Sequence, residues 1–280
     1  MGIKRILHKI KIWVARSKGT PIPNASYMKN YGDVGEENFI DELKVIFPQI
    51  KKNIIIITSN ETAEIDCLVL YQNKLFAIEV KRWKGYLREI NDDTFVKVKR
   101  NRWTTHSDVL KSPFKQLLRA ICILKNENPV KAWINPVVYF ADEEFEGIST
   151  SSKIPWFSNL DDLENYIKSE GKITYGNQIA QRFFDKCISS DCLFAGSWNS
   201  LHCIIDPKSL NIQTAQGIVT RNDISDIHIV HHCFCDELKI RMKDNTHRNA
   251  IVENGRITVN DGGGIANYSL CKLDYIKMGR

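Results

Sequence analysis

Apolar positions recur with helical spacing from the first residues of the chain, where Ile3, Ile6, Leu7, Ile10 and Trp13 share one face and basic residues the other. Lys18 to Asn24 then hold two prolines and a glycine, which predicts an extended linker. Helical spacing returns over Glu36 to Phe47 through Phe39, Ile40, Leu43, Ile46 and Phe47, with Pro48 as the stop. Four consecutive isoleucines, Ile54 to Ile57, predict a short buried strand. Glu64 to Tyr71 and Leu75 to Arg82 are apolar runs at hairpin spacing around Gln72-Asn73-Lys74. Phe95 to Lys99 and a strand near Arg102 and Trp103 extend the meander. Helices follow over Pro113 to Lys125, Leu160 to Lys168 (capped by Asn159 or Asp161) and Gln178 to Cys187, with a buried strand over Ala132 to Phe140.

Beyond Ala195 the pattern changes to short β-like runs: Leu201–Ile205, Ile212–Thr214, Asp226–Phe234, Leu238–Met242, Ile257–Val259 and Tyr268–Leu273. Turn signals such as Asp206-Pro207 separate them. Three segments are therefore expected: a basic amphipathic helix and linker over 1–24, a main domain over 25–190, and a small all-β domain over 195–280.

The chain has 280 residues, 43% hydrophobic and 26% charged, an ordinary globular composition that excludes a disordered polypeptide. Its 39 Lys and Arg outnumber 33 Asp and Glu for a formal charge of +6, which suits an anionic partner without demanding one. Basic residues crowd 1–18 and the stretch Lys97 to Arg102. The first helix is too short and too charged to span a bilayer, and either docks on its own protein or lies against a membrane surface or partner. Eight cysteines without a secretory signal, several inside apolar runs, point to reduced thiols and a cytoplasmic setting. No Walker loop, nucleophile elbow or His-Glu-x-x-His motif occurs, so ATP hydrolysis and peptidase chemistry are not expected of this chain.

Chemistry concentrates in Ile65-Asp66 and Glu79-Val80-Lys81 on the two arms of the expected hairpin. With Gln72 to Lys74 as the turn, partners sum to about 146, which sets Asp66 opposite the Glu79/Val80 level. Period-two alternation puts Glu79 and Lys81 on one face. Charges in apolar strands are costly unless a cation or a pairing network compensates them. Magnesium, replaceable by manganese, would suit Asp66, Glu79 and the Val80 carbonyl, with Lys81 beside the attacking water or the phosphate. Taken alone, Glu-x-Lys on a strand is also what an ordinary surface ion pair looks like.

The ordered set Tyr31-Gly32-Asp33-Val34-Gly35-Glu36-Glu37, Ile65-Asp66, Ile78-Glu79-Val80-Lys81-Arg82-Trp83-Lys84-Gly85 and Ser112-Pro113-Phe114-Lys115-Gln116 resembles the motifs of the nuclease-related domain family, NERD, within the PD-(D/E)xK nuclease superfamily. The resemblance extends from Tyr31 to the 180s. It implies an α/β core, a mixed central sheet flanked by helices as in restriction endonucleases, with Mg²⁺-dependent phosphodiester hydrolysis at one edge. It further implies metal ligation by Asp66 and Glu79, a catalytic role for Lys81, a carboxylate contribution from Glu36, and Gln116 facing the site. Cys67, Arg82 and Ser112 depart from the usual pattern without removing a ligand.

Lys84, Arg88, Lys97, Lys99, Arg100 and Arg102 are candidate phosphate contacts. In the β domain, His228, His231, His232, Cys233 and Cys235 lack the spacing of a known zinc finger or ribbon, and alternation would send His231, Cys233 and Cys235 to one face and His228 and His232 to the other. Zinc is not expected there. The function these features favour is a metal-dependent DNA endonuclease, with RNA the lesser substrate, serving defence against foreign DNA or DNA processing. The alternative is a non-catalytic nucleic-acid-binding or tethering protein. A homodimer through the β domain and an ATPase or helicase partner both stay open.

Overall fold

The computed structural model describes residues 27–58, 61–100, 105–171, 178–195, 199–232, 235–253, 255–260 and 264–279. The expected helix over 1–24, together with Arg102, Trp103 and Cys233, lies outside the described residues. The chain divides into two compact units, the first built from Met28–Ile56 and Thr62–Ile188, the second chiefly from Ser189–Arg280. It is a mixed α/β protein with several sheets and, among the described residues, four α-helices.

The first unit runs α1 (Tyr27–Ile46), β1 (Ile50–Ile57), β2 (Thr62–Tyr71), β3 (Lys74–Lys81), β4 (Gly85–Asn91), β5 (Thr94–Arg100), β6 (Thr105–Lys111), α2 (Pro113–Glu127), β7 (Ile134–Phe140), β8 (Phe145–Ser149), β9 (Trp156–Phe157), α3 (Leu160–Glu170) and α4 (Ile179–Lys186). Its central sheet has the order β1-β2-β3-β7-β9. β2 and β3 are antiparallel, whereas β7 and β9 are added in parallel, so the sheet is mixed. A second sheet, β6-β5-β4-β8, follows from the meander after β3.

Alternation along β3 explains the layers. Leu75 and Ala77 pack into the core that holds Phe114 and Leu117 of α2 and Phe183 of α4. Phe76, Ile78 and Val80 pack into the other core, with Phe39, Ile40 and Leu43 of α1 and Leu163 and Ile167 of α3. The strand is apolar on both faces because both faces are covered, and each fully buried Leu, Ile or Phe there contributes about 1.5–3 kcal/mol.

Helix ends are satisfied by nearby polar groups. Ser112 Oγ accepts from the Lys115 amide ahead of Pro113, and Asn159 Oδ1 accepts from the amides of Asp161 and Asp162. Lys51 of β1 donates to the carbonyls of Phe184 and Cys187, at 2.8 and 2.6 Å, closing the C-terminus of α4.

Two expectations for this unit need correction. The first helix begins nine residues before Glu36, at Tyr27, since no proline interrupts residues 27–46. The β2–β3 connection is the two-residue turn Gln72-Asn73, with Lys74 already paired to Tyr71. Gln72 and Asn73 have φ of 46° and 63°, the left-handed pair that a tight hairpin requires. The register sum is therefore 145 (71 + 74) as far as Cys67 opposite Ile78, and Asp66, the next residue of β2, bonds the Val80 amide at the expected Glu79/Val80 level.

The second unit is all β with short 3-10 turns. Its strands are β10 (Asp191–Ala195), β11 (Asn199–Ile205), β12 (Asn211–Thr214), β13 (Gly217–Thr220), β14 (Ile224–His231), β15 (Asp236–Met242), β16 (His247–Val252), β17 (Arg256–Asn260), β18 (Ile265–Ser269) and β19 (Tyr275–Lys277). Eight of them form the sheet β16-β15-β14-β19-β10-β11-β17-β18, and β12-β13 is a separate hairpin. The run expected over Tyr268–Leu273 is the end of β18 followed by a 3-10 turn over Leu270–Lys272.

Asp191, fully buried, ties this unit together. Its carboxylate accepts two hydrogen bonds from the Arg221 guanidinium, at 2.9 and 2.8 Å, and one each from the Ile205 and Gly279 amides at 2.8 Å.

Candidate active site

Ladder pairing between β2 and β3 runs from the turn as far as Cys67 opposite Ile78. Beyond it the two strands are joined by a side chain: Asp66 Oδ2 accepts a 2.7 Å hydrogen bond from the Val80 amide. The amide and carbonyl of one strand residue point to the same side, so the Val80 carbonyl is turned toward β2 as well. The next carbonyl, of Lys81, faces the other way and accepts from Ala141 at 2.9 Å. Asp66 and the Val80 carbonyl thus meet at the gap between β2 and β3.

Glu79 and Lys81 continue the face of Leu75 and Ala77, on the α2 side of the sheet. Glu79 is 0% exposed, and Lys81 Nζ lies 2.5 Å from its Oε1. This is a close ion pair without a well-directed hydrogen bond, and neither carboxylate oxygen of Glu79 accepts one. Burial, with the charge of Asp66 beside it, pushes the Glu79 carboxyl up to about 8 despite the opposing pull of Lys81. For Lys81, burial acts to lower the pKa, but Glu79, Asp66 and Glu36 together outweigh it and raise it.

Glu36 reaches this centre from α1. Phe39 stacks on Tyr139 of β7 at 4.1 Å, and Phe47 meets Tyr71 at the hairpin end, so α1 runs from the Lys81 end of β3 toward its start. Glu36, one turn ahead of Phe39, is thereby carried to the Lys81 end, where its charge acts on both Lys81 and Cys67.

Asp66, Glu79, Lys81, the Val80 carbonyl and, through its field, Glu36 are brought together. Gln116 is exposed on the first turn of α2 and makes no hydrogen bond to the carboxylate pair among the described residues. The basic candidates are not gathered. Lys84 pairs with Glu144 at 2.6 Å. Arg88 is opposite Val96, whereas Lys97 is opposite Leu87 and Asp108, so alternation sends Arg88 and Lys97 to opposite faces of their sheet. Lys99 and Arg100 are placed by backbone alone, opposite His106 and Thr105.

One carboxylate near the centre was not singled out from the sequence. Glu64 lies on β2 two residues before Asp66, and its charge adds to the upward shift of Glu79. Period-two spacing does not mark it, because alternation breaks between Ile65, which packs with Leu68 and Leu70, and Cys67, which packs with Val69 in the other core.

In the second unit, the expected strand over Asp226–Phe234 ends at His231. His232 N bonds to Cys235 O across a turn, and His231 pairs with Asp236 on β15. Alternation through Cys235 therefore does not apply. His231 Nδ1 lies 2.8 Å from Asp236 Oδ1, His232 Nε2 lies 3.3 Å from Glu237 Oε2, and His228 packs on Tyr275.

The donors at the first centre fit a hard divalent cation: two carboxylates, one of them buried with both oxygens lacking hydrogen bonds, next to a backbone carbonyl. Among the described residues, no three His, Cys, Asp or Glu side chains stand at metal-ligating spacing. Neither a curated protein nor a solved structure matches the chain. Residues 31–141 match the family model described as nuclease-related domain, ending short of the 180s to which the resemblance was expected to run. The match runs from within α1 to the end of β7 and takes in Glu36, Asp66, Glu79, Lys81 and Gln116, so this stretch is similar to that family.

Proposed function

We propose that this protein is a Mg²⁺-dependent nuclease, cutting DNA in preference to RNA, whose mixed sheet and flanking helices form a restriction-endonuclease-like core. The observation that carries the reading is Glu79, a fully buried carboxylate with no hydrogen bond to either oxygen, beside Asp66 and 2.5 Å from Lys81. Burial and the neighbouring Asp66 hold this carboxyl up at about 8 in spite of Lys81, and a divalent cation would favour its ionised form.

Asp66, Glu79 and the Val80 carbonyl would hold the ion. When bound, it supplies Lewis-acid polarisation of the phosphate and a more acidic water. Asp66 is fixed for this role by the Val80 amide. Lys81 keeps its proton, held by the surrounding carboxylates, and so presents a fixed positive charge to the negative charge that builds on phosphorus. Glu36 steadies that charge from α1. Exposed Arg88 is a candidate phosphate contact outside the centre.

The test is cleavage of supercoiled, linear and single-stranded DNA by wild type and Lys81→Ala with Mg²⁺, Mn²⁺ or EDTA. Metal-dependent cutting that is lost in the variant is expected. Salt-sensitive binding without cutting under any condition would instead favour a nucleic-acid-tethering protein on the same fold.

A further inference from the structure

Trp133, just ahead of β7, is 76% exposed, although tryptophan is on average a highly buried residue. It is nevertheless held in place. Its Nε1 donates to Asn135 Oδ1 at 3.1 Å, and Asn135 Nδ2 donates in turn to the Leu75 carbonyl of β3 at 3.0 Å. The indole is thereby fixed through a side chain anchored on the central sheet, so a ligand that meets it has little rotamer freedom to remove. The Lys125 ammonium of α2 lies 5.3 Å from the ring centroid, within cation–π reach. Lys131 donates to the carbonyls of Lys125, Asn126 and Asn128, which keeps a second cation at the end of α2, where Glu127 is the exposed acid.

A second copy docked here about a two-fold axis would bring these like charges together. The excess of positive charge favours an anionic occupant, and an open indole favours a flat π system. An unpaired nucleotide combines the two, whereas the bases of a duplex are already stacked on one another. Ile134 is level with Leu75 and Phe140 with Lys81, so about 20 Å of strand separates this end of the sheet from the Lys81 end.

We infer that Trp133 is a stacking platform for one unpaired base of single-stranded nucleic acid, with Lys125 and Lys131 beside its phosphates. The inference rests on the nucleic-acid reading above and adds to it the strandedness of what is bound.

The experiment is fluorescence anisotropy in EDTA, with the full chain and either labelled oligo-dT of about 20 nucleotides, longer than common single-strand site sizes, or a duplex closed by hairpins at both ends. Wild type should bind oligo-dT, and Trp133→Ala should bind it about 5- to 100-fold more weakly, the range for one lost base stack. Trp133→Phe should recover most of the loss and Trp133→Leu should not, which separates stacking from apolar contact. Lys125→Gln should lower the slope of log binding constant against log salt by about 0.7. Duplex binding should be the same in all the Trp133 variants. Wild-type affinity of Trp133→Ala for oligo-dT, an equal loss on the duplex, or rescue by leucine overturns the stacking role and leaves the proposed nuclease centre standing. A wild-type dimer in sedimentation that Trp133→Ala dissociates also overturns it, in favour of a second copy. Failure of wild type to bind either probe overturns the nucleic-acid reading as well.

Discussion

The Val80 amide donates to Asp66 Oδ2 at 2.7 Å, just past the last ladder pair of β2 and β3. A side chain thus takes over from the backbone at the point where the two strands stop pairing. The same carboxylate holds the strands in register and offers oxygen to the gap between them.

The two roles separate by substitution. Asp66→Asn keeps an oxygen for the Val80 amide, so it should stay folded and lose metal-dependent cleavage. Asp66→Ala leaves a buried N–H without a partner and should also lose about 1–3 kcal/mol of stability. Urea unfolding of the two variants beside a cleavage assay measures this, and equal stability of the two would refute the structural half.

Cys187 offers a titration away from the proposed metal site. Burial pushes its thiol up to about 11 from the usual value near 9, with Lys51 pulling slightly the other way. A raised pKa means the folded chain holds the thiol proton longer than the unfolded chain does. The contribution is complete below about pH 9 and disappears as pH rises through 11, a loss of roughly 2–3 kcal/mol. Lys51, lowered by burial, titrates in the opposite sense. Unfolding free energies at pH 8.5 and 10.5 should fall more steeply with pH for wild type than for Cys187→Ala, and parallel slopes would contradict the assignment.

Asp191 should behave as the keystone of the second unit. Asp191→Ala strands Arg221 and two backbone amides in a buried site, at a cost of about 3–5 kcal/mol. Gly279→Ala attacks the same point sterically, since a Cβ there would sit 2.1 Å from the Ser189 carbonyl oxygen. Both variants should lower the thermal unfolding temperature. A silent Gly279→Ala would mean that the C-terminal segment is not held as described.

Arg88 and Lys97 point to opposite faces of the β6-β5-β4-β8 sheet. A duplex bound across one face should register only one of them. Neutralising that residue should reduce the slope of log binding constant against log salt by about one, and neutralising the other should leave it unchanged. Equal effects from Arg88→Ala and Lys97→Ala would show that the nucleic acid wraps around the sheet edge.

The four helices and strands β1, β2, β3, β5 and β7 of the first unit were readable because their periodicities are strong and the stops are local, Pro48 after α1, Ser112-Pro113 before α2 and Asn159 before α3, whereas β4, β8 and β9 were not expected. Gln72-Asn73 was placed one residue too long, since a left-handed turn of two residues is stated by backbone angles and only hinted at by an asparagine. In the second unit, the run Asp226–Phe234 concealed a chain reversal after His231, because apolar residues on both arms of a hairpin read as one strand. Lys51 as the cap of α4 was invisible, its carbonyl partners lying more than 130 residues away.

The sequence by itself determined which residues could do chemistry here, because Asp66, Glu79 and Lys81 are charges set in strands that are otherwise apolar, and the period of two already joins Glu79 to Lys81. Only the tertiary structure decided how deeply each is buried, that the Val80 amide binds Asp66, that the charge of Glu36 arrives from α1, and that Arg88 and Lys97 part. Local periodicity assigns a residue to a face. What covers that face, and which distant charge approaches it, depends on strand pairing and helix packing between segments far apart in the chain.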